Sequence, residues 1–375
     1  MHITRVYSDL GSLLMTGRVL MIFGPRQVGK TTLVSKYFEA FEDKKIMFSG
    51  DDIVIRERLG SQNMADILAM IVGYKLVVID EAQRIPNIGI SLKIMIDNRK
   101  DIQIIVTGSS SFELLGQIGE PLTGRKRTLM LYPLWLGELL NHYNRFEINA
   151  MLPSLLIYGL YPEVFTLGSN PQKASHLTEI ANSYLLKDII EMDKVKSAQP
   201  VINLLRSLAF QVGREVSVNE LAQGLSLDAK TVSRYLDLFE KTHIIIRLSG
   251  FSRNLRSEIT SKAKYYFYDN GIRNALIANF NPLELRDDIG LLWENFVMVE
   301  RIKKRSYQQI HANQYFWRTW SQQEIDLIEE REGKLFAYEI KWKADKGKVP
   351  PTFPQNYPDS EFAIVNNGNY EQFLL

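Results

Sequence analysis

In the first third of the chain, short apolar runs alternate with stretches of helical spacing. Three of these runs, "RVLMIFG", "KLVVID" and "IQIIVTG", consist mainly of β-branched or other apolar residues. Strands that are buried on both faces have apolar runs of this kind, and helices connect them in parallel sheets. The pattern predicts an α/β domain with a doubly wound parallel sheet over residues 1–135.

The spacing of apolar positions changes in the rest of the chain. Residues 136–197 have a helical pattern that we interpret as a lid, and Gly159 and Pro162 in "YGLYPEV" predict a turn between its helices. Residues 261–375 combine a helix with the strands "QYFWRTW", "EIDLIEE" and "KLFAYEIKW". A small α/β domain is therefore predicted at the end of the chain, after a third unit over residues 198–260.

The third unit contains the pattern of a helix-turn-helix in "SVNELAQGLSLDAKTVSRYLDLFEKTHII". Ser217 and Glu220 have the spacing of a capping box at a helix start, and Gly224 interrupts that helix. A second helix restarts at Asp228 and carries its apolar residues on one face. Two helices separated by so short a turn are typical of a helix-turn-helix.

Basic residues in and after the second of these helices are candidates for DNA contact. Residues early in that helix usually read DNA, and the basic stretch that follows, which includes Lys264, suits phosphates. The candidate contacts are Lys230, Thr231, Arg234, Arg253 and Arg256. Asp237 and Glu240 lie on the same helix and favour a structural or protein-binding role, so the pattern leaves both alternatives open.

Length and composition are those of an ordinary globular protein with several domains. The 375 residues exceed the usual size of one hydrophobic core, and a net charge of +2 means that any DNA-binding surface must be local. The absence of cysteine excludes disulfides, thiol catalysis and cysteine-ligated zinc. The start "MHITRVYSDL" lacks a signal pattern, and no apolar run approaches about 20 residues, so we expect a cytoplasmic protein without membrane association.

The segment "FGPRQVGKTTL" matches the phosphate-loop pattern G-x-x-x-x-G-K-[ST] between a predicted strand and a predicted helix. Glycines let the backbone fold around a phosphate, so that N–H groups and the helix N-terminus face the anion. Lys30 would reach the β- and γ-phosphates, and the Thr31 hydroxyl would bind Mg²⁺. The predicted ATP-binding residues are Gly24, Pro25, Arg26, Gln27, Val28, Gly29, Lys30, Thr31 and Thr32.

Two acidic residues end the apolar run "KLVVIDEAQ". Asp80 would hold Mg²⁺ through water, and Glu81 would orient or deprotonate the attacking water. A hydrolase needs a base for water, whereas a kinase activates a substrate hydroxyl, so this pair favours hydrolysis over phosphotransfer. The alternative is that Asp80 and Glu81 only start a solvent-facing helix.

Two further residues are candidates for assisting hydrolysis. Ser109 in "IQIIVTGSSS" would sense the γ-phosphate, although Thr107 and Ser110 are neighbouring candidates and the serines could simply cap the next helix. Arg125 in "LTGRKRTLMLYPL" would stabilise transition-state charge as an arginine finger, from its own or a neighbouring subunit. A solvated basic turn is the alternative for Arg125.

The order of these motifs resembles that of a known family. The motifs are "GPRQVGKTTL", "VVIDEAQ", "VTGSSSFELL", "LTGR", "YPLWLGE" and "YGLYPEV", followed by "W-R-T…E-I-D…E-I-K" from Trp317 to Lys341. Over nearly its full length the chain resembles archaeal and bacterial AAA-type ATPases related to the STAND class. The resemblance implies a P-loop ATPase core, a winged helix and a nuclease-like last domain. Leu160 stands where the family usually has a second glycine.

The last domain carries a second candidate chemistry. Alternation along "KLFAYEIKW" puts Glu339 and Lys341 on one face of a strand, after Asp326 on "EIDLI" and Glu294 on the helix "LLWENFVMVE". This is the constellation of PD-(D/E)xK nucleases, in which carboxylates bind Mg²⁺ and lysine helps to activate water or stabilise charge. The alternatives are a strand that shows its polar face to water, or a nuclease-like fold kept for binding alone.

Two classes of function follow from these motifs. In the first, a Mg²⁺-dependent ATPase acts on duplex or branched DNA through the winged helix and the nuclease-like restriction-endonuclease fold. In the second, it is a signalling or defence switch of the STAND kind whose terminal domains bind protein partners. We expect a homo-oligomer in both cases.

Overall fold

The computed structural model describes residues 3–109, 121–184, 198–251, 262–319, 321–343 and 349–375. The chain divides into two compact units, of which the N-terminal unit contains residues 4–133 and 241–243. The C-terminal unit contains residues 134–240 and 244–375, together with residue 3. The domain boundaries expected at residues 135, 197 and 260 stay predictions.

The N-terminal unit is built on a five-stranded sheet in which every strand pair is parallel. The strand order is β2-β3-β4-β1-β5. The strands are β1 (Val19–Phe23), β2 (Lys45–Ser49), β3 (Leu76–Asp80), β4 (Gln103–Gly108) and β5 (Lys126–Met130). The helices are α1 (Lys30–Ala40), α2 (Ile53–Gly60), α3 (Met64–Met70) and α4 (Ile88–Asn98). The predicted α/β core with a parallel sheet is confirmed.

The apolar runs form these strands because both faces of the sheet are covered. Met21 of β1 packs in one core with Ile79 of β3 and Val106 of β4. Leu20 and Ile22 point to the other face and are equally buried. Each such side chain contributes about 1.5–3 kcal/mol on burial, so the continuous apolar runs stabilise the centre of the sheet.

The C-terminal unit begins with helices and continues into a second sheet. Its helices are α5 (Leu136–Leu139), α6 (Arg145–Tyr158), α7 (Asn170–Glu179), α8 (Ala198–Phe210), α9 (Val218–Leu225), α10 (Ala229–Lys241), α11 (Asn270–Leu276), α12 (Ile289–Tyr307), α13 (Thr352–Asn356) and α14 (Tyr370–Leu374). Its strands are β6 (Glu215–Val216), β7 (Ile245–Gly250), β8 (Ala263–Phe267), β9 (Asn313–Arg318), β10 (Glu324–Arg331), β11 (Lys334–Ile340) and β12 (Glu361–Val365).

These seven strands form one sheet in the order β12-β11-β10-β9-β7-β8-β6. The hairpin β7–β8, which follows the helix pair α9–α10, joins the later strands through parallel pairing of β7 with β9. Ser249 pairs there with Tyr315, and Gly250 with Phe316. The region predicted as a winged helix and the region predicted as nuclease-like therefore share a sheet.

The turn in "YGLYPEV" lies at Gly159, directly after α6. Gly159 has a φ of +69°, and a Cβ there would lie 2.0 Å from Oδ1 of Asp269. Oδ2 of Asp269 accepts a hydrogen bond of 2.6 Å from the Leu160 N–H. Glycine is required because the backbone is left-handed and because the carboxylate occupies the space of a side chain.

In the parts of the chain that the structure describes, no helix combines the length and the apolar character needed to cross a membrane.

Candidate functional site

The loop between β1 and α1 holds a conformation that its glycines permit. Gly24 has a φ of +149° and Gly29 a φ of +94°. A Cβ on Gly24 would lie 2.0 Å from the Leu131 carbonyl oxygen, so no larger residue fits there. Gln27 also has a positive φ, +60°, and such strain in a non-glycine residue costs about 1 kcal/mol and collects at functional loops.

Lys30 is the first residue of α1 and is buried. Its ammonium donates to the carbonyl oxygens of Gly24 at 2.8 Å and Pro25 at 2.7 Å. The positive charge is thus held against the first residues of the loop, at the N-terminus of a helix of 11 residues. Both the charge and the helix terminus favour binding of an anion at this loop.

Asp80 links the phosphate loop to the neighbouring strands. The Thr31 hydroxyl donates to Oδ2 of Asp80 at 3.1 Å. The Thr107 hydroxyl donates to Oδ1 of the same carboxylate. Carboxylate and hydroxyl oxygens are ligands that Mg²⁺ prefers, so Thr31 and Asp80 fit a magnesium site. Thr107, which the sequence offered only as a neighbour of Ser109, touches the acidic residue directly.

Glu81 follows β3 in the left-handed region, with a φ of +49°. Its Oε2 accepts a hydrogen bond from the Gln83 side chain. Gly50 makes this backbone possible, because a Cβ at Gly50 would lie 2.2 Å from the Glu81 carbonyl oxygen. The Gly50 N–H also donates to the Asp80 carbonyl oxygen at 2.8 Å. Gly50 belongs to no motif, and its signal in the sequence is its position directly after β2.

The two assisting residues lie at different edges of the sheet. Ser109 is buried and directly follows β4, at the edge where the phosphate loop begins, whereas Ser110 lies outside the described residues. Arg125 precedes β5, and its carbonyl oxygen accepts from the Val19 N–H at the amino end of β1. Its guanidinium pairs with Asp97. This placement does not bring Arg125 to the phosphate loop of its own chain.

Arg5 was missed by the sequence analysis, since a lone arginine near the chain start belongs to no motif. The structure buries it to 7% exposure beside the phosphate loop. Its Nη1 donates to the Val28 carbonyl oxygen at 2.5 Å, and its Nη2 donates to the Tyr132 carbonyl oxygen at 2.6 Å. The guanidinium therefore joins the loop to the segment that follows β5.

In the C-terminal unit, the structure brings together the four residues of the predicted nuclease constellation. Asp326 lies in β10 at a register shift between Ile325 and Ile328, and its Oδ2 accepts from the Ile340 N–H at 2.8 Å. Glu339 and Lys341 form an ion pair of 2.7 Å. Burial and the nearby Asp326 raise the pKa of Glu294, on α12, to about 7.

The same cluster contains residues that the sequence analysis missed. The Lys264 ammonium, from β8, lies 2.5 Å from Oε1 of Glu324, 3.6 Å from Oε1 of Glu294 and 3.8 Å from Oδ1 of Asp326. The Tyr266 hydroxyl donates to Oε1 of Glu294 at 2.7 Å. Lys264 had been assigned to a basic stretch that suits phosphates, and this was wrong, because the side chain is buried among carboxylates. We call Glu294, Glu324, Asp326 and Glu339 the carboxylate cluster.

The candidate DNA contacts lie partly within the described residues. Asp228 caps the start of α10, because its carboxylate accepts hydrogen bonds from the N–H and the hydroxyl of Thr231, at 2.8 and 2.6 Å. Lys230 and Arg234 are exposed on the same helix, and the Arg234 guanidinium lies 5.3 Å from the centre of the Tyr235 ring. Arg253 and Arg256 lie outside the described residues.

Comparison with protein families gives a class for the N-terminal unit. Residues 16–140 match the model of an AAA domain. Two further stretches match families described as domains of unknown function, DUF8612 over residues 149–283 and DUF4143 over residues 289–372. The chain thus contains an AAA-type P-loop ATPase domain, in agreement with its parallel sheet, and a C-terminal DUF4143 domain.

Proteins of similar sequence occur in bacteria and archaea. An uncharacterized protein of Mycobacterium tuberculosis is 27% identical over 326 residues, which cover 86% of this chain and 70% of that protein. An uncharacterized protein of Haemophilus influenzae is 23% identical, covering 96% and 89% of the two chains. One of Methanocaldococcus jannaschii is 24% identical, covering 88% and 77%.

Among solved structures, a chain of Drosophila ORC bound to AT-rich DNA and Cdc6 aligns with 70% of this chain and 85% of its own length, at 12% identity and a TM-score of 0.24. A similarity at this level carries no argument about function.

Proposed function

We propose that the N-terminal unit binds ATP with Mg²⁺ and hydrolyses it. The observation that carries this proposal is the contact of 3.1 Å between the Thr31 hydroxyl and the Asp80 carboxylate. Thr31 lies in the first turn of the helix that follows the phosphate loop, whereas Asp80 ends β3. Their meeting at one edge of the sheet is what a shared magnesium site requires.

Each residue of the site has a separate role in the proposal. The loop backbone and Lys30 bind the phosphates, and Thr31 and Asp80 hold the metal. When it is bound, Mg²⁺ neutralises charge on the phosphates. Glu81 orients the attacking water and takes its proton, and the Gln83 side chain fixes the carboxylate until water is in place.

The roles of Lys30 and Glu81 separate in an experiment on the full chain. Lys30→Ala should abolish ATP binding, because the phosphates lose their buried counter-charge. Glu81→Gln should bind ATP as the wild type does and hydrolyse it about 10²–10⁴ times more slowly, since it lacks the general base. Glu57→Gln, at an exposed position of α2, is the matched control and should leave both unchanged. Phosphate release that survives Lys30→Ala would refute the proposal.

The remaining site residues take roles that rest on their position. Ser109, at the edge of the sheet where the phosphate loop lies, senses the γ-phosphate. Arg125 acts on the site of a neighbouring subunit in a homo-oligomer, since it does not reach its own. Arg125→Ala should then slow hydrolysis without changing ATP affinity, and mixing it with the Lys30→Ala variant should restore activity. If mixing never restores activity, Arg125 is not supplied by a neighbour.

We infer further that the helix pair α9–α10 binds DNA. The support is local, because Lys230 and Arg234 are exposed at the start of α10, where helix-turn-helix proteins contact bases. Affinity for duplex and branched DNA should fall steeply with salt and fall further in Lys230→Ala/Arg234→Ala. Arg58→Ala, exposed on α2, is the control. No binding to any DNA at low salt would instead favour the switch that binds protein partners.

A further inference from the structure

Lys264 is fixed in place by strands on both sides. It lies within β8, where it pairs with Glu215 of β6 and with Leu248 of β7. Its side chain is 2% exposed, and its ammonium lies 5.6 Å from the centre of the Phe316 ring. Because β8 is paired on both edges, the backbone at Lys264 is fixed, and the buried side chain extends from it into the cluster.

The carboxylate cluster needs cations, because its four carboxylates lie close together and their side chains are only 10–33% exposed. An isolated buried carboxylate is costly, so such groups are paired or neutralised. Lys341 pairs with Glu339, and the Arg318 Nε lies 4.0 Å from Oε2 of Glu324. Glu294 and Asp326 have the Lys264 ammonium as their shared neighbour, at 3.6 and 3.8 Å.

The pKa of Lys264 agrees with its position among the carboxylates. Burial by itself would lower the pKa of Lys264. The attraction of Glu294, Asp326 and Glu324 raises this pKa by more than burial lowers it, so the pKa lies above its ordinary value. The side chain is therefore an ammonium at neutral pH and carries the charge that the carboxylates require.

A divalent ion does not fit the cluster as it stands. Mg²⁺ binds oxygen ligands at about 2.0–2.1 Å, and carboxylates that share it must converge on one point. Here Glu294, Glu324 and Asp326 converge on the Lys264 ammonium. Within the described ranges, no three or more histidine, aspartate or glutamate side chains are placed to hold a metal ion. This disagrees with the metal-dependent chemistry that the nuclease resemblance implies.

We propose that Lys264 is the resident cation of the carboxylate cluster and takes the place of the divalent ion that a nuclease of this kind would bind. The C-terminal unit then keeps the nuclease-like arrangement without metal-dependent cleavage. The proposal is independent of ATP hydrolysis by the N-terminal unit.

Metal binding tests this directly, with Mn²⁺ as the probe. The full chain should carry Asp80→Asn, which removes the acidic ligand of the proposed nucleotide site, and free Mn²⁺ can be followed by its electron paramagnetic resonance signal. In this background we expect no Mn²⁺ bound by the carboxylate cluster. Adding Lys264→Met should create one Mn²⁺ site per chain, because the carboxylates lose their cation and the buried Glu339 Oε2 has no hydrogen-bond partner among the described residues. Adding Asp326→Asn should abolish that site again.

Lys262→Met is the matched control, since Lys262 precedes Lys264 by two residues and is exposed. It should bind no Mn²⁺. If Lys264→Met does not fold, Mn²⁺ binding by the chain with Lys264 intact still tests the proposal. The proposal requires that this chain binds no Mn²⁺ at the carboxylate cluster. Mn²⁺ binding or Mn²⁺-dependent DNA cleavage by that chain, lost on Asp326→Asn, would overturn the proposal. A folded Lys264→Met variant that gains no Mn²⁺ would overturn it as well.

Discussion

Replacing Arg5 tests whether a residue outside every motif supports the phosphate loop. In Arg5→Met the side chain keeps similar bulk but loses the guanidinium. The carbonyl oxygens of Val28 and Tyr132 then lose donors at 2.5 and 2.6 Å in a buried place. We expect both lower stability and weaker ATP binding, because Val28 belongs to the loop.

The magnitude follows from the two hydrogen bonds. A hydrogen bond from a charged donor contributes about 1.5–3 kcal/mol, so losing both should lower the free energy of unfolding by about 3–6 kcal/mol. At about 2–4 °C per kcal/mol, the melting temperature should fall by roughly 6–24 °C. Arg5→Lys should lose about half as much, since one ammonium cannot reproduce the planar fork of donors.

Thermal unfolding and steady-state phosphate release measure the two effects. For Arg5→Met we expect the KM for ATP to rise about tenfold, which corresponds to about 1.4 kcal/mol, with a smaller change in kcat. Such a split is expected of a positioning residue, since Glu81 is untouched. Arg58→Met, at an exposed position of α2, should match the wild type. If Arg5→Met has the same melting temperature as Arg58→Met and the same KM for ATP as the wild type, the role assigned to Arg5 is wrong.

Two further predictions concern the C-terminal unit. Gly159→Ala should cost about 3 kcal/mol or more in thermal unfolding, because a Cβ would meet the Asp269 carboxylate at 2.0 Å, whereas exposed Gly168→Ala should be near neutral. Glu329→Gln should cost about 3–5 kcal/mol, because it leaves Arg301 buried without its carboxylate partner, now at 2.7 Å. Burial by itself would raise the pKa of Glu329. Its hydrogen bonds with Arg301 lower this pKa by more than burial raises it, so the pKa lies below its ordinary value. The wild type should therefore exceed Glu329→Gln in free energy of unfolding by the full amount above about pH 4.3, and this difference should shrink as the pH falls through the lower pKa of Glu329 in the folded state. A difference that already shrinks between pH 7 and pH 5 would contradict this prediction.

The N-terminal unit was largely predictable, because its chemistry is local in sequence. A phosphate loop needs glycines and a lysine at fixed spacing, and a strand buried on both faces needs a continuous apolar run. Lys30, Thr31 and Asp80 could therefore be assigned to the candidate site from patterns of a few residues each. Thr107 was within reach of the same reasoning, since it ends the neighbouring strand.

Arg5 and Lys264 could not be found in this way. Arg5 contacts carbonyl groups 23 and 127 residues away, and backbone acceptors leave no trace in a sequence. Lys264 lies on an alternating strand among basic residues, where a solvent-facing position is the natural expectation. Its burial follows from the pairing of β7 with β9, which no local pattern predicts.

The shared sheet of the C-terminal unit limits how this chain can be cut and recombined. The two family matches in that unit meet between residues 283 and 289, yet the hydrogen bonds from β7 to β9 cross that junction. A chimera joined there would pair two unrelated strand edges, and a fragment ending there would expose one edge to other chains, which invites aggregation. We therefore expect the two stretches to have been inherited together, and expression of either alone to give insoluble protein.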